Sequence, residues 1–124
     1  MKGTADDIRR VVDDLGFEIT SSDDAMFAIG LLDALASTVA RRYRRNISDS
    51  TAPAAAVLRY ASQRQTTEAS SKLLNQAAGR AKALQRIAAS AEYGELPSDE
   101  IRHAERVRSK LHDSLSEWLD QLER

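Results

Sequence analysis

Residues 25–46 read AMFAIGLLDALASTVARRYRRN, and this stretch decides the fold, because it begins as the most apolar segment of the chain and ends as the most basic. At about 100° per residue, Ala28, Leu32, Leu35, Ala36, Val39 and Tyr43 share one stripe, while Arg41, Arg42, Arg44 and Arg45 fan over the other side. A helix of this kind anchors a core and presents four guanidinium groups, which predicts that it is the central element. Met26, Phe27, Ile29, Leu31 and Leu32 surround its first half with apolar groups, so burial on several sides is expected there.

Working outward, the same 3.6-residue period recurs on both sides. Thr4 with Asp7 has the spacing of an N-cap and acidic N3 residue, and Ile8, Val11, Val12 and Leu15 follow as one face. Gly16 is expected to end that helix in a left-handed C′ conformation, with Phe17 making the usual hydrophobic contact. Ser21, Ser22, Asp23 and Asp24 can cap the arginine-tipped helix. Asn46 to Thr51 reads as a connection, with Thr51 as N-cap and Pro53 in the first turn of a third helix that carries Ala54, Val57, Leu58 and Ala61 inward. The polar patch Gln65, Thr66, Thr67 either breaks that helix or lets it run into a fourth, expected from about Ala69 to Tyr93 with Leu73, Leu74, Ala77, Ala81, Leu84, Ile87, Ala88 and Ala91 on one stripe. So many alanines predict close helix approach. Gly94 to Pro97 stops it, and a last helix from Ser98 carries Ile101, Ala104, Val107, Leu111, Leu115, Trp118, Leu119 and Leu122.

The fold class expected is therefore all-α, a single-domain bundle of about five helices over 1–124. Plentiful alanine, leucine, arginine and glutamine and only two prolines agree with it. Leu32, Leu35, Val39, Leu84, Leu111, Leu115 and Trp118 are the predicted core. Cysteine is absent, which excludes disulfides, thiolate metal sites and thiol nucleophiles. No apolar run nears the roughly 20 residues that span a bilayer, and MKGTADDIRR lacks a signal-peptide core, so a cytoplasmic protein without membrane contact is expected.

The net charge of −1 hides a strong asymmetry. Residues 1–33 sum to −5, residues 34–91 to +8 and residues 92–124 to −4. A basic middle between acidic ends is the main functional clue. The cluster RRYRR admits three readings: a solvated helix end whose cations oppose the macrodipole, a phosphate contact with Tyr43 packed inward, or a surface for an acidic protein, another copy of the chain included. Arg59 and Arg64 flank the third helix, and Lys72, Lys82 and Arg86 converge on the outer side of the fourth, where they would extend a basic face if that helix packs beside the arginine-tipped one. Arg80 falls inside the apolar stripe, either snorkelling at a helix crossing or pairing between subunits.

Catalysis is not expected. There is no glycine-rich phosphate loop, no G-x-S-x-G, no serine with an evident base and no cofactor signature. Glu100-x-x-His103 has the spacing of half a di-iron site, but no second copy exists, and His112 lies on the opposite side of the helix from His103. Tyr93-Gly94 followed by Arg102, Arg106, Arg108 and Lys110 can be read as a turn and a DNA-recognition helix, although that helix is acidic near its end and its stripe looks like bundle core.

In length, helical character, lack of catalytic residues and partly basic, otherwise acidic charge, the chain resembles the small subunit of CRISPR effector ribonucleoprotein complexes, type IV or type I. The resemblance covers the architecture of the whole chain and no motif. It implies a non-catalytic role in antiviral defence, in which several copies stack beside other subunits and line a groove for RNA or DNA backbone, with no small-molecule substrate. The residues that would carry this role are Arg41, Arg42, Arg44, Arg45, Arg59, Arg64, Lys72, Lys82 and Arg86. The competing expectation is a protein-interaction module, such as a phage scaffold, inhibitor or adaptor, that dimerises through helix faces without nucleic acid.

Overall fold

Apolar residues spaced 3 and 4 apart bury one stripe of each segment, and the polar or glycine-containing breaks between segments become turns. The computed structural model describes residues 4–43 and 53–123. Among these residues there are five α-helices and no strand: α1 (Thr4–Asp14), α2 (Ser22–Tyr43), α3 (Ala54–Ser62), α4 (Glu68–Ser90) and α5 (Ser98–Leu122), with a 3₁₀ turn (Ala91–Tyr93) after α4. The protein is an all-α helical bundle, as expected, and none of its described helices is long and apolar enough to cross a membrane.

α3 and α4 are separate helices. Thr67 starts α4 as an extended N-cap whose hydroxyl accepts from the Ser70 N–H at 3.1 Å, which explains why the polar patch before it breaks the chain. α3 begins two residues later than expected, with Pro53 itself in the N-cap position; Thr51 and the connection from Asn46 lie outside the described residues. Proline suits that position because its N–H would have no helical partner. At α2, the Asp24 N–H donates to Ser21 Oγ at 3.2 Å, while the Thr20 N–H and hydroxyl both donate to the Asp24 carboxylate at 2.9 Å and hold its pKa below the usual range.

Gly16 departs from expectation. The one positive-φ glycine among the described residues is Gly94, and α1 instead ends by tightening, with the Gly16 N–H donating to Asp13 O at 3.0 Å. The chain must leave α1 towards α5, where the Ile19 N–H donates to Glu105 Oε1 at 2.8 Å, and a left-handed Schellman turn is not used for that exit.

Every residue of the predicted core is buried, together with Ile8, Val12, Leu15, Leu58, Leu74 and Leu119. α2 is the helix that touches all four others, yet the widest packing belongs to α4, against α3 and α5. The reason is its alanines: Ala77, Ala78, Ala81 and Ala88 let neighbouring backbones come close. The first half of α2 is not buried all round. Met26 is 46% exposed and Phe27 60%, because α1 and the end of α4 cover only part of the helix there; Phe27 packs edge-on against Phe17 at 5.4 Å.

One fully buried residue joins three elements. The Trp118 indole N–H donates to Gln65 Oε1 at 2.9 Å, and Gln65 Nε2 donates to Tyr43 OH at 3.1 Å and to Ala61 O at 2.9 Å. The Trp118 and Tyr43 rings are 6.4 Å apart. Trp118→Ala is expected to lower the unfolding free energy by about 3–5 kcal/mol through the cavity it leaves. Gln65→Ala, which strands the indole N–H, is expected to cost about 1–3 kcal/mol. Denaturant melts check both, and a loss below about 1 kcal/mol for Trp118→Ala would contradict this hub.

Candidate nucleic-acid interface

The basic residues are presented by three helices. Arg41 and Arg42 are exposed in the last turn of α2, where cations also oppose the helix dipole. Arg42 Nε donates weakly to Tyr43 OH at 3.4 Å, and its guanidinium lies 5.7 Å from the Tyr43 ring centre. Tyr43 is half-buried and packs inward towards Trp118, as expected. Arg44 and Arg45, the rest of the cluster, lie outside the described residues.

α3 divides the other expected site residues into two groups. Ser62 Oγ is 3.0 Å from Asn75 Oδ1, which identifies the sides on which α3 and α4 meet. Arg59, three residues before Ser62, shares the α4-facing side of α3. Lys72, Lys82 and Arg86 stand at −3, +7 and +11 from Asn75 and so share its side of α4. These four exposed cations border one α3–α4 edge. Arg64 lies elsewhere: its guanidinium is 3.7 Å from the ring centre of Tyr60, about 200° round α3 from Ser62, and next in sequence to Gln65 at the end of α2. The expected single basic face is therefore two, an α3–α4 edge and a bundle end holding Arg41, Arg42 and Arg64.

Among the described residues Arg9 and Arg108 are the arginines held in ion pairs, and Arg10, Arg102, Arg106 and Lys110 in the acidic thirds are as unpaired as the cations of these surfaces, which differ in having few carboxylates near them in sequence. Arg41, Arg59, Lys72, Lys82 and Arg86 make no ion pair among the described residues. Arg9, in the acidic first third, bonds Asp120 at 2.8 Å and lies 3.3 Å from Glu123. α1 packs on α2 and α5 and touches neither α3 nor α4, so the two acidic ends of the chain adjoin each other and leave α3 uncovered.

Arg80 sits at the α4–α5 crossing, where Nη1 donates to Lys110 O at 3.1 Å and to Ser114 Oγ. That is the snorkelling arrangement. Arg108 overturns the recognition-helix reading of α5. It is only 6% exposed, and both its Nε and Nη2 donate to the Glu105 carboxylate at 2.7 Å while Nη1 donates to Leu15 O. A guanidinium spent on the protein's own backbone is unavailable to bases; Arg102, Arg106 and Lys110 remain exposed. Its position between Ala104 and Leu111 on the buried stripe was the available signal. Glu100 and His103 are exposed, and no group of three or more His, Asp or Glu among the described residues could hold a metal.

No protein family matches the chain, and neither curated proteins nor solved structures provide a match.

The hydrogen bonds from Arg108, reinforced by the Ile19 N–H, hold the Glu105 carboxyl below its usual pKa against the opposing effect of burial. A lowered folded-state pKa contributes stability that is present above the unfolded value of about 4.3 and is lost as pH falls through the folded value. Glu105→Gln should lower stability at neutral pH and make it fall less steeply below about pH 5 than in the wild type, measured by melts across pH. Parallel pH profiles would contradict the role assigned to this pair.

Proposed function

We propose that the protein is a non-catalytic helical subunit that binds the backbone of RNA or DNA through its basic surfaces and packs beside other subunits in a ribonucleoprotein assembly. The observation that carries this reading is the set of exposed cations without ion pairs along the α3–α4 edge, where Glu68 at the start of α4 is the one carboxylate among the described residues of α3 and α4. Exposed lysines and arginines without carboxylate partners are free to replace condensed counterions on phosphates. The resemblance to CRISPR small subunits supplies the assembly context, and the acidic α1 and α5 surfaces suit contact with basic neighbours or with the basic edge of another copy.

The protein-interaction reading draws on a different observation. Met26, Phe27 and Tyr93 are exposed, and a shallow cavity of about 160 Å³ between α2 and α4 is lined by Met26, Ile29, Gln85, Ala88, Ala89 and Glu92. This favours a partner at that end of the bundle. Salt separates the two readings, because phosphate binding weakens steeply with added salt and apolar association does not.

Replacing Lys72, Lys82 and Arg86 together with alanine should reduce the salt slope of log affinity by up to about 2.7 for a duplex or about 2.1 for a single strand, at roughly 0.9 and 0.7 per phosphate. The loss should be similar for all base sequences, since phosphate contacts carry no sequence information. Helicity should survive, because all three side chains lie off the buried stripe. An unchanged slope and affinity in this variant, with Arg41, Arg42, Arg44 and Arg45 also replaced, would overturn nucleic-acid binding.

A further inference from the structure

Tyr93 is 92% exposed, by far the most exposed of the large apolar side chains among the described residues, and it stands at the end of the cationic face of α4. Asn75, Lys82, Arg86 and Tyr93 are separated by 7, 4 and 7 residues, and 18 residues make five whole helical turns. Allowing about 20° more per residue for the 3₁₀ turn, Lys72, Asn75, Lys82, Arg86 and Tyr93 lie within an arc of about 80°. From Lys72 to Tyr93 the track is about 33 Å long at about 1.5 Å per α-helical and 2.0 Å per 3₁₀ residue.

Glu68 lies on the same face one turn before Lys72, lining a surface hollow with Lys72 and Asn75, and so bounds the track at that end; no acidic residue follows it before Glu92. Glu92 itself lines the α2 groove, about 120° round the 3₁₀ turn from Tyr93, and Glu95 comes after Gly94. Midway along the track, Gly79 is exposed, and a Cβ added there would meet nothing within 4 Å. A polymer can therefore lie against the helix at that point.

Resting on the nucleic-acid reading above, we propose that this face of α4 is a track for single-stranded nucleic acid: Lys72, Lys82 and Arg86 take successive phosphates and Tyr93 stacks on an unpaired base. The commitment to a single strand follows from the tyrosine. An exposed ring adds affinity only where a base offers a free π-face, and in a duplex those faces are covered by neighbouring pairs. Cations leading to an aromatic platform are the pairing that sequence-tolerant single-strand binders use.

The test is fluorescence anisotropy at low salt, using the full chain with labelled oligothymidylate and with a mixed-sequence duplex of equal length. Tyr93→Ala should weaken single-strand binding about five-fold or more while changing duplex binding less than about two-fold, and Tyr93→Phe should retain the wild-type affinity. Gly79→Glu, at an exposed position where an added Cβ meets nothing within 4 Å, should weaken single-strand binding by placing a carboxylate in the track. If Tyr93→Ala changes both ligands equally or neither, while the Lys72, Lys82 and Arg86 alanine variant still weakens binding, the single-strand track is wrong and the phosphate-binding reading stands. If the wild-type chain binds neither ligand, both are wrong.

Discussion

The hydrogen bond from the buried Trp118 indole to Gln65 is the contact on which the rest of this structure depends. Trp118 belongs to α5, Gln65 to the turn between α3 and α4, and Gln65 in turn holds the Tyr43 hydroxyl at the end of α2. Four helices are registered at one end of the bundle by two side-chain hydrogen bonds and a pair of tilted rings. Neither Gln65 nor the indole N–H can be left unpaired there without a desolvation penalty, so the polar contacts specify which turn meets which helix while the leucines and alanines supply the burial. Ser70 Oγ of α4, bonded to Gln121 of α5 at 2.8 Å, adds a direct α4–α5 link one turn further along α5.

That registration has an electrostatic consequence. With α5 lying against α4 and α1 closing over α2 and α5, the two acidic ends of the chain are brought together, and Arg9 bridges to Asp120 and Glu123 across them. Surface pairs of this kind are worth at most about 1 kcal/mol, so they do not explain the fold. Their significance is what they leave undone: the exposed Arg59, Lys72, Lys82 and Arg86 on α3 and α4 form no ion pair among the described residues. Self-repulsion along such an edge is a standing destabilisation that a polyanion would relieve.

The helices, their order and the core residues were legible in the sequence because each rests on a local period. The stripe through Leu111, Leu115 and Trp118 and the alanine-rich face of α4 needed no knowledge of partners. What was not legible depends on who packs against whom. The apolar ring around the start of α2 predicted burial, yet Met26 and Phe27 remain exposed because too few neighbours cover that half. Gly16 matched a left-handed cap by composition, but the route towards Glu105 of α5 determines its backbone. The nine basic site residues looked like one surface; the seven described ones fall on two, since only the Ser62–Asn75 contact reveals which side of α3 faces α4. Arg108 carried its own signal in its place on the buried stripe, and the Tyr93 side chain had one in its whole-turn spacing from Arg86.

Backbone amide resonances followed while unlabelled oligothymidylate is titrated into the isotope-labelled full chain would test the single-strand track most directly. The expected result is a contiguous set of shifts along α4, at Asn75, Gly79, Lys82, Arg86 and Tyr93, joined by Arg59 across the edge. Shifts centred on Met26, Phe27 and α1, with the outer side of α4 unmoved, would contradict it.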